Sequence, residues 1–299
     1  MALCFLFIDG IGIGERSSSN PLSNSDLKSF SYFTGSNGFD SLCEERMEEK
    51  TLFKKIDANL DVEGLPQSGT GQTTLFTGEN ASKVIGKHFG PYPHSGIKPL
   101  LKEKSLFHKA IELGKNPHFI NAYPDIFFKK STKRDRWSCT TLMTKSAGLR
   151  LNRLKDVIEG NAITAEITQS VWRSRLNLDV PEIKPEEASG RVLQSLEKHD
   201  LVLYEYYLTD KAGHEQSREM ADQVLSVLDQ FIWGIMQGLS REDTLVITSD
   251  HGNLEDLTVK THTRNPVPLF VMGQAHDFQS VRSIQDVTPA ILDVMRRSG

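Results

Sequence analysis

Three aspartates in this chain stand just past apolar runs. Asp9 follows Leu3–Ile8, Asp210 follows Leu201–Leu208 after one threonine, and Asp250 follows Thr244–Thr248 after one serine. Open α/β sheets bind ligands beyond the carboxyl ends of their strands. Three carboxylates gathered at one such edge repel each other unless cations hold them. Histidines stand where they could share those cations. "DKAGH" puts His214 four residues after Asp210, "SDHGN" puts His251 beside Asp250, and "THTRNPVP" supplies His262 ahead of another apolar run. Neutral imidazole with carboxylate suits zinc or manganese. Each piece alone reads equally as a strand-end cap or a surface histidine, and it is their joint occurrence that points to a metal centre.

A second stretch concentrates hydroxyls. "SGTGQTTLFTG", from Ser68 to Gly78, offers little to a core, and its candidates for chemistry are Ser68, Thr70, Thr73 and Thr74. It reads as a polar turn, as an N-cap serine at a helix start, or as a nucleophile. A free hydroxyl is a poor nucleophile, and a divalent ion stabilises its alkoxide near neutral pH. A helix start also directs unpaired N–H groups at an anion. Gly69 and Gly71 would let backbone approach a phosphate closely.

The elements that must carry these residues follow from periodicity. Leu3–Ile8, His118–Ala122, Leu201–Leu208, Thr244–Thr248 and Leu269–Met272 read as buried strands. Between Ser217 and Leu239 an apolar stripe of Met220, Val224, Leu228, Phe231 and Ile235 marks a helix. Pro185 with Glu186 and Glu187 opens another, and Ser105–Leu113 stops a third at Gly114. The alternation predicts an α/β three-layer sandwich with a mainly parallel sheet. Residues 1–299 suit a single large domain. Arg16–Leu42, rich in Ser, Asn and Gly, reads as a surface excursion, and residues 124–181 as a small inserted cap.

Composition narrows the function classes. A formal net charge of -4 argues against nucleic acid as a partner. Three cysteines without CxxC spacing indicate neither a disulfide framework nor a thiolate zinc site. The apolar N-terminus is interrupted by Asp9 and has no preceding Lys or Arg, so neither a signal peptide nor a membrane partner is expected. The expectation is a cytoplasmic protein.

Taken together, "FIDGIG", "SGTGQTTLFTG", "DKAGHE", "TSDHGNLED" and "THTRNPVPLF" resemble the alkaline phosphatase superfamily of two-metal enzymes. The resemblance is to the branch holding cofactor-independent phosphoglycerate mutase and phosphopentomutase. It covers residues 1–14, 60–96 and 185–299. It implies an alkaline phosphatase-like fold and two divalent ions, manganese or zinc. Asp210, His214 and His262 would hold one ion; Asp9, Asp250, His251 and the nucleophile Ser68 would hold the other. Thr70 is the second choice of nucleophile. The substrate would be a small phosphorylated anion.

The resemblance leaves the reaction open. A sulfatase needs Pro two residues and Arg four residues after its nucleophile, where Thr70 and Gln72 stand here. A mutase needs a large cap, for which this chain has little length. A phosphohydrolase through a phosphoserine is therefore expected, with a phosphomutase as the alternative and a metal-free binding protein as the non-enzyme reading. Gln72, Arg134 and Arg136 are candidate substrate contacts. The last two belong to a stretch, Lys129–Lys155, with nine Lys or Arg and one acid, Asp135. It is either a solvated basic face or an attractor for the substrate. Trp137 within it could stack on a base or sugar.

Overall fold

The structure is a computed structural model and describes residues 1–134 and 136–297. Asp135, the one acid in the basic stretch, lies outside the described residues. Along the chain the first elements are β1 (Leu3–Ile8), α1 (Lys28–Thr34), β2 (Arg46–Met47), β3 (Thr51–Ile56) and α2 (Ser68–Thr77). Three short helices follow, α3 (Ala81–Ile85), α4 (Lys98–Glu103) and α5 (Leu106–Glu112), then β4 (Pro117–Phe119). The next four are α6 (Asp125–Arg134), α7 (Cys139–Ser146), α8 (Leu154–Ile158) and α9 (Ser170–Ser174). The last part holds α10 (Pro185–Leu196), β5 (Leu201–Tyr206), α11 (Leu208–Glu215), α12 (Arg218–Gly238), β6 (Thr244–Thr248), β7 (Val267–Met272) and α13 (Val287–Arg297).

The strands form one seven-stranded sheet in the order β2-β3-β7-β6-β1-β5-β4. β4, β5, β1 and β6 are mutually parallel. β7 runs against β6, β3 against β7 and β2 against β3, so five strands point the same way. The sheet is thus mainly parallel, and helices cover both faces. β1, LCFLFI, is buried at every residue, as expected for a strand covered on both sides. Its side chains alternate between two cores. Cys4, Leu6 and Ile8 face the core that includes α1, α10 and α12; Leu3, Phe5 and Phe7 face the core that includes α2, α5 and α13. α12 packs along its apolar stripe, and the Ser217 side chain caps its start by accepting from the Met220 N–H. The three cysteines are free and buried.

Three readings from periodicity need correction. The run at 201–208 is strand only to Tyr206, and Leu208 already opens α11. The β2–β3 hairpin is absent from the apolar-run pattern because Lys54 and Lys55 interrupt it. The buried Lys54 is satisfied by donating its Nζ to the carbonyls of Gln279 (2.7 Å) and Val281 (2.5 Å). Arg16–Leu42 is more than a surface excursion: Leu22, Leu27, Phe30, Phe33 and Phe39 in it are buried. Phe270 of β7 is the centre of that packing. It stacks on Phe33 at 4.9 Å and Phe53 at 5.2 Å, with Phe30 edge-on at 5.2 Å. The buried Asp229 of α12 holds the segment from the other side, accepting from the N–H groups of Lys28 and Ser29 at the start of α1.

Phe270→Ala should therefore destabilise the protein by about 3–5 kcal/mol, the usual cost of emptying a fully buried phenylalanine site. Urea unfolding measures this, and a loss below about 1 kcal/mol would show that the segment closes over the gap or contributes little to the core.

Candidate metal centre

β6, β1 and β5 are neighbours in the sheet, so their carboxyl ends lie side by side. Asp9 leaves β1, Asp250 and His251 leave β6, and Asp210 and His214 lie on α11 just after β5. His262 lies in the loop before β7, and Ser68 is the first residue of α2. The turn after β1 must pass close to Asp210. Gly10 makes this possible: its φ is +72°, and a Cβ there would lie 2.7 Å from the Asp210 Cβ.

These side chains form one cluster. His251 Nε2 is 3.2 Å from Asp9 Oδ1, 3.5 Å from Asp250 Oδ2 and 3.0 Å from the Ser68 hydroxyl. His262 Nε2 is 3.5 Å from Asp210 Oδ1 and 3.2 Å from His214 Nε2. His214 Nε2 is 3.3 Å from Asp210 Oδ2. The His251 and His262 rings stack at 3.8 Å and join the two halves. Donor atoms of Asp9, Asp250 and His251 lie close enough together to share one ion, and so do those of Asp210, His251 and His262. His251 thus faces both halves, whereas spacing set it beside Asp250 and the family resemblance grouped it with Asp9, Asp250 and Ser68 alone. His214 stands at the rim with its side chain 44% exposed, while that of His251 is fully buried.

The chemistry of the donor set fits divalent cations. Asp9 Oδ1 and both carboxylate oxygens of Asp250 are buried without a hydrogen-bond partner. Among the described residues no Lys or Arg is paired with Asp9, Asp210 or Asp250. Burial pushes the Asp9 carboxyl up to about 6. Burial, then the charges of Asp9 and Asp210, hold the Asp250 carboxyl well above the usual carboxylate range. Burial draws His251 and His262 down to about 4, which keeps both imidazoles neutral and able to donate a lone pair. His262 Nδ1 donates to the Pro66 carbonyl at 2.7 Å, and His214 Nδ1 to the Lys260 carbonyl at 2.6 Å. These bonds assign the tautomers and leave Nε2 of each ring for a ligand.

Of the remaining candidates, Gln72 is buried and donates its amide to Asp9 Oδ2 at 3.1 Å, orienting that carboxylate. Thr70 is fully buried, and its hydroxyl donates to the Gln67 carbonyl and accepts from the Phe89 N–H. Arg134 and Arg136 are exposed on and just past α6, with no contact to the cluster among the described residues. Trp137 is not free to stack on a ligand. It is buried, Phe127 meets it edge-on at 5.9 Å, and the Lys145 ammonium lies 3.5 Å above its ring.

Reading by motif missed two buried acids. Glu255 ties the site's loops together: its carboxylate accepts from the N–H groups of Gly12 (2.9 Å) and Asn253 (2.8 Å), the Asn265 amide (3.0 Å) and the Thr263 hydroxyl. Asn253 in turn donates to Asp210 Oδ1 at 2.7 Å. Glu205, inside the otherwise apolar β5, accepts from the Thr140 hydroxyl at 2.6 Å. Burial, with the charge of Asp9 adding to it, raises its carboxyl to about 7. A lone acid in an apolar strand was the available signal for Glu205. Glu255 lay within a quoted motif, without a sign of its partners.

A sequence model of the Metalloenzyme superfamily matches residues 1–298. The chain belongs to the Metalloenzyme superfamily. Curated relatives of this superfamily member include the 2,3-bisphosphoglycerate-independent phosphoglycerate mutases of Desulforudis audaxviator and Moorella thermoacetica, 32% and 28% identical over 124 residues. Each match spans 38% of this chain and 24% of the mutase, so the chain matches about a quarter of those relatives' length. Similar solved structures include the PH0037 protein from Pyrococcus horikoshii, at TM-score 0.60 and 12% identity, covering 100% of this chain and 98% of that one. The alkaline phosphatase of the Antarctic bacterium TAB5 has TM-score 0.60 and 13% identity, covering 99% of this chain and 97% of that one. At these identities the likeness establishes the alkaline phosphatase-like fold. No helix among the described residues is long and apolar enough to cross a membrane.

The acids and the histidines set opposite pH trends in cation-free protein. The raised carboxyls of Asp9 and Glu205 stabilise the fold fully at low pH, and that contribution is lost as pH rises through about 6 to 7; the raised carboxyl of Asp250 acts in the same direction. The lowered histidines contribute fully above their ordinary value of 6.5, and that contribution is lost as pH falls toward 4. Above pH 6.5 the histidine contribution is nearly complete, while the carboxyl contribution, with Asp250 the most strongly raised, goes on changing. Melting temperature in a chelator should thus fall by several degrees between about pH 6.5 and pH 8. Saturating manganese or zinc should remove that fall, because a cation takes the place of the protons. A melting temperature that is flat over this range in chelator and insensitive to either metal would contradict the assignment.

Proposed function

We propose that this protein is a two-metal phosphohydrolase that works through a phosphoserine on Ser68. The observation that carries the reading is the placement of Ser68. Its hydroxyl opens a buried helix and lies 3.0 Å from His251, within the cluster where Asp9 Oδ1 and both carboxylate oxygens of Asp250 are buried without a hydrogen-bond partner. Thr70 is the weaker candidate, since its hydroxyl is committed on both sides.

The residues divide the work as follows. Divalent ions held by Asp9, Asp250 and His251, and by Asp210, His262 and His214, would lower the pKa of the Ser68 hydroxyl and neutralise charge on the phosphoryl group. Ser68 Oγ attacks phosphorus in line, the bond to the leaving oxygen breaks, and a phosphoserine forms. The N–H groups of Ser68 and Gly69 at the start of α2 have no acceptor within the helix and would serve an incoming anion, whereas the Thr70 N–H donates to the Phe89 carbonyl at 2.9 Å. Gln72 holds Asp9 in place, and the carbonyls of Pro66 and Lys260 hold His262 and His214. Water then attacks the phosphoserine, releases phosphate and restores the hydroxyl.

A phosphomutase is the second reading, favoured by the name that the curated relatives carry. It shares the first half-reaction and differs in the second, where the dephosphorylated substrate must stay enclosed and reattack. Residues 124–181 as a small cap would leave the site open to water, which supports hydrolysis. Whether manganese or zinc serves is set by the geometry each ion takes, and both suit these ligands.

Ser68→Ala should lower phosphate release from p-nitrophenyl phosphate by about a thousandfold or more, as loss of a nucleophile does. Most of the bound metal should stay, because only one of seven protein ligands is removed. Phosphate release and elemental analysis check both points. Full activity in Ser68→Ala with loss in Thr70→Ala would move the nucleophile, and isomerised phosphoglycerate without free phosphate would establish the mutase.

A further inference from the structure

We propose that α6 and the residues just past it bind a second phosphate of a small bisphosphorylated substrate, outside the phosphoryl group that Ser68 attacks. The proposal rests on the phosphoryl-transfer reading above. Lys129, Lys130, Lys133, Arg134 and Arg136 are all exposed, and among the described residues none has an acid partner. Five like charges within eight residues repel one another, in a chain whose net charge is -4. The helix dipole favours Lys133 and Arg134 in the last turn, but it does not account for Lys129 and Lys130. Packing does not require the cations either. α6 is held from its aromatic side, where Phe127 stacks on Tyr123 at 4.2 Å.

The sheet register places this charge near the metal centre. Phe5, Leu203 and Phe119 are paired across β1, β5 and β4. β4, β5 and β1 are parallel, so the residues that follow them leave the sheet at the same edge, Tyr123 and α6 after β4, Tyr207 after β5 and Asp9 after β1. The Asp9 N–H still donates to the Tyr206 carbonyl at 2.9 Å, so β1 and β5 keep register up to that point. β4 lies two strand spacings from β1, about 10 Å. α6 opens two residues after Tyr123 and is about 15 Å long. A substrate whose first phosphate meets the cluster brings a second one under the field of this helix. Recognition there is by charge and not by stacking. Lys145 covers the Trp137 ring, and the Arg153 guanidinium lies 3.8 Å over Phe128.

The test compares hexose 1-phosphate with hexose 1,6-bisphosphate by calorimetry on the metal-loaded protein. A Ser68→Ala background keeps the ligand intact. The bisphosphate should bind about tenfold tighter or more at low salt, and about 0.5 M NaCl should abolish the preference. Lys129→Gln/Lys130→Gln/Lys133→Gln should also abolish it. The reversed set, Lys129→Glu/Lys130→Glu/Lys133→Glu, should make the bisphosphate the weaker ligand, and the Gln set remains decisive if the Glu set folds poorly. The control Lys50→Gln/Lys198→Gln/Arg241→Gln removes the same charge just before β3, β5 and β6, at the opposite edge, and should keep the preference. Equal binding of the two ligands by the parent protein, or equal loss in the control and α6 sets, would overturn the proposal. Phosphate release by the Ser68 protein is measured in parallel. A charge-dependent preference without any release would leave the α6 site standing and remove the phosphohydrolase reading; release without a preference would do the reverse.

Discussion

The structure is organised around three carboxylates that the sheet forces together. β6, β1 and β5 are adjacent and parallel, so whatever follows their last residues meets at one edge, about 5 Å apart per strand. The residues there are Asp9, Asp210 and Asp250, and no Lys or Arg is paired with them among the described residues. Buried like charges without counter-ions are unfavourable, and the raised carboxyls of Asp9 and Asp250 express that cost. Neutral histidines cannot cancel it, because imidazoles drawn down to about 4 carry no charge near neutral pH. Only an added cation can, and this is why the same atoms that destabilise the fold in isolation make a strong site for metal. The loops are held by other groups. Glu255 collects the backbone and side-chain donors of four loop residues, and Asp9 Oδ1 and both oxygens of Asp250 are left without a hydrogen bond that would compete with an ion.

Helix α2, which carries Ser68, shows the same priority of site over local preference. α2 contains four threonines and two glycines, a poor composition for a helix. All ten of its residues are buried. Its hydroxyls are satisfied internally: Thr73, Thr74 and Thr77 donate to the carbonyls of Gly69, Thr70 and Thr73. Such back-bonding slightly weakens an isolated helix, so tertiary packing holds α2 in place. The return is a close fit against the catalytic edge. A Cβ on Gly71 would sit 2.9 Å from the Asp250 carbonyl oxygen. Disagreement between local propensity and the fold is what a functional element is expected to show.

Much of this was legible in the chain because the informative signals are local. Fully buried parallel strands appear as apolar runs, and β1 and β6 have the bounds their runs suggest. The aspartates and histidines stand within a few residues of those runs. What was not legible depends on contacts distant in sequence. Lys54 looks like a surface residue until the carbonyls of Gln279 and Val281 are brought to it, more than two hundred residues away. Phe30, Phe33 and Phe39 are buried by Phe270, while the Ser, Asn and Gly around them suggested a surface loop. The sharing of His251 between the two halves of the cluster comes from ring stacking on His262, which no spacing encodes.

The segment from 124 to 181 is where the question of enclosure is decided, and it does not behave as one body. α7 belongs to the main core: Cys139 and Met143 are fully buried, and the Cys139 thiol lies 3.6 Å from the Gly69 carbonyl at the start of α2. Thr140 on the same helix binds Glu205, beside Asp9. α8 and α9 instead gather on a small apolar cluster of their own, made by Ala122, Val157, Ala162, Trp172 and Val180. A hinged closure of the whole segment would have to pull α7 away from α2 and uncover that core. α6 has only Ser131 fully buried, but Phe127 and Phe128 on it pack against the main core, so its aromatic side is held there. The contact of α6 with a substrate would then depend on charge, while the metal ligands and Ser68 stay fixed on the sheet and α2.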